Sequence, residues 1–229
     1  MTNNQETPLI SVIIPYYKGQ RFIDEALNSV FKQNYSNLEI IIVNDGSPIE
    51  TLDILNKFKD KIKIISQENM GQSAARNTGI KNAKGSIIAL LDQDDIWSDD
   101  HISSMLPYLL IDGGYDFVRG HTQIFYTDKN DINTNDTSLF YEVILGSAMH
   151  RRSVFDKVGM FDEDVFDGED ADWNLRLRES DCKEKRVPNI TLFYRKHDNN
   201  RSMQNDSIRK GAFLVIRRKI QRARIITDK

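Results

Sequence analysis

Four short strand-like runs, at residues 9–14, 38–43, 61–65 and 86–91, alternate with stretches of helical period, and that alternation constrains the fold more than any other feature of the chain. The first, second and fourth are rich in β-branched residues and apolar nearly throughout, while the third carries Lys61 and Lys63. Strands buried on both faces read this way, whereas half-exposed strands alternate. Between them, Phe22, Ile23, Ala26, Leu27, Val30 and Phe31 recur at three- and four-residue spacing and form one helical stripe. Ile49, Leu52, Leu55 and Phe58 suggest a second helix, and residues 71–83 a third that Gly85 closes. Short connections between strand and helix then require an α/β fold: a single Rossmann-like domain with a mostly parallel central sheet and helices on both faces. The first strand is expected to stop at Pro15.

At 229 residues, with no Pro/Gly/Ser-rich linker, the chain suits one core. The segmentation expected is a disordered 1–8, a domain at 9–205 with halves 9–97 and 98–205, and a basic amphipathic helix at 206–229. A net charge of -3 gives no general attraction to nucleic acid. The lone Cys182 excludes an internal disulfide, residues 1–8 lack a leader-like pattern, and no apolar run nears the roughly 20 residues of a membrane span. A cytoplasmic protein is the expectation.

The second half is less regular. Phe117 to Tyr126 suggests a strand pair, and residues 127–138 a polar loop. Apolar and polar residues alternate from Ala171 to Leu177, a strand-like period. In the tail, Phe213, Leu214, Ile216, Ile220 and Ala223 have helical spacing among Arg209, Lys210, Arg217, Arg218, Lys219, Arg222 and Arg224. Three readings of that tail stay open: docking on an anionic membrane surface, packing against a second copy in a homodimer, or a solvated helix that finishes the fold.

Two loops carry chemistry. Asp92, Asp94 and Asp95 follow directly on the fourth run, so three carboxylates arrive at the sheet's carboxyl edge, where open α/β sheets bind ligands. Such a group suits one hard cation, Mn²⁺ or Mg²⁺, which can neutralise a diphosphate. The plainer alternative is a solvated turn that caps the next helix. Asn44-Asp45-Gly46-Ser47 is a turn signature after the second run.

Ser11 to Tyr17, Asn44 to Ser47, Asn69 to Gly79, the Asp92 cluster, Gly159 to Glu163 and Gly168 to Trp173 together resemble the inverting nucleotide-sugar glycosyltransferases usually called family 2, in order and in spacing, over about residues 9 to 200. The resemblance implies the GT-A fold. It further implies that Asp45 meets the nucleotide base, that Pro15, Tyr16 and Tyr17 line base and ribose, that Asp92 serves ribose and metal, and that Asp94 binds the metal. Asp95 would orient its neighbours. Of Glu169 and Asp170, one would take the proton from the acceptor hydroxyl, Asp170 being favoured. Because the family starts a helix there, the resemblance overrides the alternation that follows. Arg76 would hold a phosphate or buttress the acidic cluster, or else form a structural salt bridge. His197 matches a region where some relatives use a metal ligand or diphosphate contact; an ordinary hydrogen-bonded His is the other reading, and Arg195 and Arg201 are alternative diphosphate contacts. His101, His121 and His150 receive no role. Lys18 and Asn44 depart from the Asn and the second Asp that many members carry.

The activity so implied is a metal-dependent, inverting transfer of a sugar from a nucleotide diphosphate donor, a UDP-sugar, to a hydroxyl of a saccharide, lipid-linked or protein-linked acceptor in surface polysaccharide or glycoconjugate synthesis. One competitor is a nucleotidyltransferase, which would show a Gly-rich basic segment after the first strand; Pro15-Tyr16-Tyr17-Lys18-Gly19 is not one. The other is a non-catalytic nucleotide-sugar-binding domain, against which Asp94 and Asp170 argue.

Overall fold

The computed structural model describes residues 7–127, 136–140, 144–198, 200 and 213–222. Its strands in chain order are β1 (Ile10–Tyr16), β2 (Leu38–Asp45), β3 (Lys63–Gln67), β4 (Ile87–Leu90), β5 (Ile96–Trp97), β6 (Phe117–Tyr126), β7 (Asp136–Phe140), β8 (Ala148–Arg151) and β9 (Glu184–Lys196). Its helices are α1 (Ile23–Phe31), α2 (Gln72–Asn82), α3 (His101–Leu109), α4 (Arg152–Val158), α5 (Glu169–Glu179) and α6 (213–222). All the strands belong to one sheet of order β3-β2-β1-β4-β8-β6-β9-β5, with β7 on the side of β6. The four strand-like runs are β1 to β4, all parallel, and β6–β9 is parallel as well. The sheet is continuous across the expected boundary at residue 97, because β4 pairs with β8.

Successive β1 side chains divide between two cores, as the pleat requires. Val12, Ile14 and Tyr16 join Ile23, Ala26, Leu27 and Val30 of α1 on one face. Ile13 joins Ala75 and Ile80 of α2, with Trp173 and Leu177 of α5, on the other. The approach of α2 is so close that a Cβ at Gly79 would lie 2.3 Å from Ile13 Cγ2.

Several local expectations are corrected. Ile49, Leu55 and Phe58 lie on two 3₁₀ turns, Ile49–Thr51 and Asp53–Phe58, that Leu52 joins, with only Leu55 of the four buried and Ile49 exposed. Their spacing is three throughout, which matches three residues per turn and drifts off an α-helical face. Strand β1 continues through Pro15 to Tyr16; pairing with β4 stops at Ile13, so the missing N–H falls where the strand has one neighbour. Phe117 to Tyr126 is one strand, not a pair. Gly120 sits at a bulge where a Cβ would meet Thr191 Cγ2 at 2.2 Å, so it marks close approach and no turn. The alternating stretch, by contrast, is helix α5, as the resemblance implies, with Trp173 and Leu177, four residues apart, facing the core.

Thr7 and Pro8, expected to be disordered, are held by hydrogen bonds from Asn37 and Tyr35, and residues 1–6 lie outside the described residues. Of the expected 127–138 loop, Asp136 to Ser138 belong to β7 and 128–135 lie outside the described residues. No helix among the described residues is long and apolar enough to cross a membrane.

Candidate active site

The parallel strands deliver their carboxyl ends to one edge: Tyr17 after β1, Asp45 at the end of β2, and Asp92 to Asp95 after β4. The amino terminus of α5 faces the same edge, and Arg76 of α2 joins the two sides. Its guanidinium is 1% exposed, lies 2.5 Å from Asp170 Oδ1 and 2.9 Å from Asp92 Oδ1, and is 3.9 Å from Glu169. Burial alone would lower the pKa of Arg76, but Asp170, Asp92 and Glu169 hold it above its ordinary value. Gln72, one helical turn earlier, donates to Asp92 Oδ1 at 2.8 Å. These contacts match both a buttress of the acidic cluster and a structural salt bridge to a sheet-edge carboxylate, and the side chain is 1% exposed.

Burial raises the pKa of the Asp170 carboxyl to about 7, with Arg76 opposing the rise and Glu169 and Asp92 adding to it. About a third of the side chain, 32%, remains exposed, so the group is reachable from solvent. Glu169 is buried beside it. Both stand in the first turn of α5 after Gly168, whose φ of 89° is the left-handed conformation that glycine adopts without strain.

In the loop after β4, Asp94 Oδ2 lies 3.1 Å from His197 Nε2. Burial and the charge on Asp92 raise the Asp94 pKa, with His197 opposing. Phe22 packs on the imidazole, ring centres 4.7 Å apart. Asp95 is buried, its pKa raised well above the usual range by burial and by Asp94 and Asp92, and its Oδ1 accepts the Arg195 N–H at 2.9 Å. Among the described residues there is no group of three or more His, Cys, Asp or Glu poised to hold a metal ion. The Asp94–His197 pair, an oxygen and an imidazole nitrogen, is nonetheless a donor set that suits Mn²⁺.

The expected nucleotide residues separate by burial. Tyr17 is 42% exposed and follows directly on the strand end. Pro15 and Tyr16 are buried, and the Tyr16 hydroxyl donates to the Thr51 carbonyl, so neither offers a face on which a base can stack. Asp45 is 4% exposed and accepts from Gln67 at 2.8 Å and from the Met70 and Gly71 N–H groups at 2.9 Å each. It ties β2 to the start of α2. Arg195 is not available as a diphosphate contact: it is buried between Phe22 and Phe125, and its nitrogens reach the Asp94 carbonyl at 2.7 Å and Glu25 at 2.8 Å. Arg201 lies outside the described residues. His101 and His150 are buried core residues, the first stacked on Trp97 and the second beside Phe117, Phe155 and Trp173, both with pKa lowered to about 3 by burial.

Three supporting residues went unnoticed in the sequence. Gln72 is one. Gln93 clasps the Tyr17 backbone, accepting its N–H at 2.9 Å and donating to its carbonyl at 3.1 Å. Asn77 exchanges hydrogen bonds with the Phe161 backbone at 2.9 and 3.0 Å and donates to Glu163 at 2.8 Å, tying α2 to the turn before α5. Gln72 and Asn77 sit on the same helix as Arg76, which was a signal; Gln93 lies inside the acidic cluster, with none.

Comparison with known proteins places this geometry. A family model described as glycosyl transferase family 2 matches residues 11–223. An uncharacterised glycosyltransferase of Rickettsia prowazekii is 35% identical over 181 residues, 72% of this chain and 57% of the relative. One of Rickettsia typhi is 35% identical over 197 residues, 79% of this chain and 62% of the relative. The chain thus spans about three fifths of the length of these relatives. Among solved structures, the mannosyltransferase of Pyrobaculum calidifontis in complex with GDP-Man and Mn²⁺ superposes with a TM-score of 0.73 at 18% identity, over 95% of this chain and 65% of that one. TarS of Staphylococcus aureus in complex with UDP-GlcNAc gives 0.67 at 20% identity, over 86% and 61%.

Proposed function

The chain belongs to glycosyl transferase family 2, and from that premise we propose that it transfers a sugar from a nucleotide diphosphate donor to an acceptor hydroxyl, with inversion and with help from a divalent cation. The observation that carries the reading is Arg76, which holds Asp92 and Asp170 on either side of one guanidinium and so sets a donor-side and an acceptor-side carboxylate facing one cleft. Solved structures of similar fold hold UDP-GlcNAc in one case and GDP-Man with Mn²⁺ in another. We take the donor to be a UDP-sugar and the cation Mn²⁺ or Mg²⁺. The acceptor would be a saccharide, lipid-linked or protein-linked hydroxyl in polysaccharide or glycoconjugate synthesis.

In this mechanism Asp170 takes the proton from the attacking hydroxyl. A carboxyl whose pKa stands near 7 accepts a proton better than an ordinary aspartate, and near neutral pH a large fraction remains ionised to do so. Arg76 keeps that carboxylate aimed and offsets its repulsion from Asp92 and Glu169. Asp94 and His197 would hold the cation, with Asp92 beside them; when bound, it offsets charge on the departing diphosphate. Tyr17 supplies the exposed aromatic surface at the donor end, and Asp45 shapes the start of α2 through the Met70 and Gly71 N–H groups. A nucleotidyltransferase is set aside, since the family is one of glycosyl transfer.

The test is Asp170→Asn beside Glu169→Gln, with transfer rate and donor affinity measured for both. Asp170→Asn should lower transfer by about 10² or more, the usual worth of a general base, and keep donor affinity. Collapse in Glu169→Gln with near-normal Asp170→Asn would move the role to Glu169; near-normal rates in both would remove the mechanism.

A further inference from the structure

We propose that Arg222 and Arg218 of the C-terminal helix are positioning residues that hold the amino terminus of α5, and with it Asp170, in place; this rests on the reading of Asp170 as the acceptor base. Among the described residues of the tail, Arg218, Lys219 and Arg222 each pair with an acid of the preceding domain. Arg222 Nη1 donates to Asp172 Oδ1 at 2.9 Å, and Asp172 is 1% exposed. The other oxygen of Asp172 accepts from Arg176 Nε at 3.0 Å. Arg176 then donates to the Val158 and Met160 carbonyls, both at 2.8 Å. One helical turn before Arg222, Arg218 pairs with Asp162 at 2.9 Å and Asp164 at 2.6 Å. Lys219 meets Glu179 at the far end of α5 at 2.9 Å. Helix α6 therefore lies along α5 and the turn before it, touching acids at both ends.

These contacts run on into the site. The Asp162 turn follows Phe161, whose backbone is held by Asn77 and whose ring lies 5.5 Å from the Arg76 guanidinium and stacks on Trp173. Asp172 is two residues from Asp170 on the same turn, and its N–H closes that turn onto the Gly168 carbonyl at 2.9 Å. Three acids, Glu169, Asp170 and Asp172, crowd the first turn of α5. The helix dipole favours them individually, but their mutual repulsion does not relax unless a cation reaches each. Arg76 serves Asp170 and Glu169 from the sheet side, while Arg222 and Arg176 serve Asp172 from the outer side. Removing Arg222 leaves a buried carboxylate oxygen without its donor, and the turn can relieve that by tilting. Displacement of a reacting group by about 1 Å can cost about 10² in rate.

The experiment uses the full chain with Arg222→Ala, Arg222→Lys and Arg218→Ala. Release of nucleoside diphosphate from UDP-GlcNAc and from GDP-Man with Mn²⁺ reports turnover, and amide hydrogen exchange reports the turn directly. Arg222→Ala should lower kcat about tenfold or more with donor KM unchanged, and speed exchange across residues 158–175 while β1 to β4 keep their protection. Arg222→Lys should recover part of both, since it keeps charge without the planar fork. Arg218→Ala should act the same way on residues 158–165. Unchanged exchange in Arg222→Ala overturns the proposal, as does exchange that rises throughout the sheet with kcat and KM failing together. If Asp170→Asn keeps full turnover, the base assignment falls, while local exchange in Arg222→Ala still decides whether α6 holds the turn.

Discussion

Replacing Arg76 with Met keeps much of the side chain's length and its apolar stem and removes the cation on which the site is assembled. Arg76 is fully buried and sits among Asp170, Asp92 and Glu169. Removing one member of a buried ion pair typically costs about 3–5 kcal/mol, because the partner's charge is left uncompensated. Asp92 and Asp170 retain 27% and 32% exposure, so water recovers part of that, and about 2–3 kcal/mol is the expected loss. The sign with pH follows from Asp170. Arg76 opposes the raised pKa of Asp170, so without it that pKa moves above about 7 while the unfolded value stays near that of a free aspartate. The variant therefore carries the greatest penalty where the folded state must hold several bare carboxylates, and the penalty shrinks as pH falls and Asp170 takes up its proton. Urea unfolding of wild type and variant at about pH 8 and about pH 5.5 measures this, with the difference expected to drop by roughly half at the lower pH. An equal loss at both pH values would mean that only packing was removed, and a loss below about 0.5 kcal/mol at the higher pH would refute the role of Arg76 altogether.

Asp94→Ala should abolish most of the Mn²⁺-dependent part of UDP binding measured by calorimetry with and without chelator; equal affinity in both conditions for wild type would sink the metal assignment. The transfer rate should rise with pH on a limb centred near 7, because only the ionised Asp170 accepts a proton, and the limb should vanish in Asp170→Asn. Gly79→Ala should destabilise by about 1–3 kcal/mol in urea, as the added methyl meets Ile13 Cγ2 at 2.3 Å and either α2 or β1 must shift.

What could be read from the sequence is what depends on local period and on residue type. The β-branched runs became β1 to β4 in parallel, and Asp92 and Asp94 arrived at the strand end for the same reason that the strand is buried. The failures share a different cause. The pattern at Ile49 to Phe58 reads as an α-helix because a period of three and one of 3.6 are hard to tell apart over ten residues. Tyr16 and Arg195 carry the residue types expected of a ligand contact, yet both are buried; nothing local distinguishes an aromatic that stacks on a base from one that donates to Thr51, 35 residues away.

Arg76 shows the limit most clearly. Its partners are 16 and 94 residues distant, and α2 buries Ser73, Ala74, Ala75, Arg76, Asn77, Gly79 and Ile80 together, leaving no polar face from which to infer its direction. The same holds for α6, where nothing local to Arg218 and Arg222 points to Asp162, Asp164 and Asp172, 50 to 56 residues earlier. A charge run in sequence has no sign of its partner in it. An acidic turn such as the start of α5 is, however, a demand for compensation wherever its carboxylates are buried, and this chain meets that demand from two elements far apart in sequence, α2 on the sheet side and α6 on the outside. A helix that ends with basic residues, in a chain that buries several acids at one helix start, is therefore better searched first for those acids than for a lipid surface.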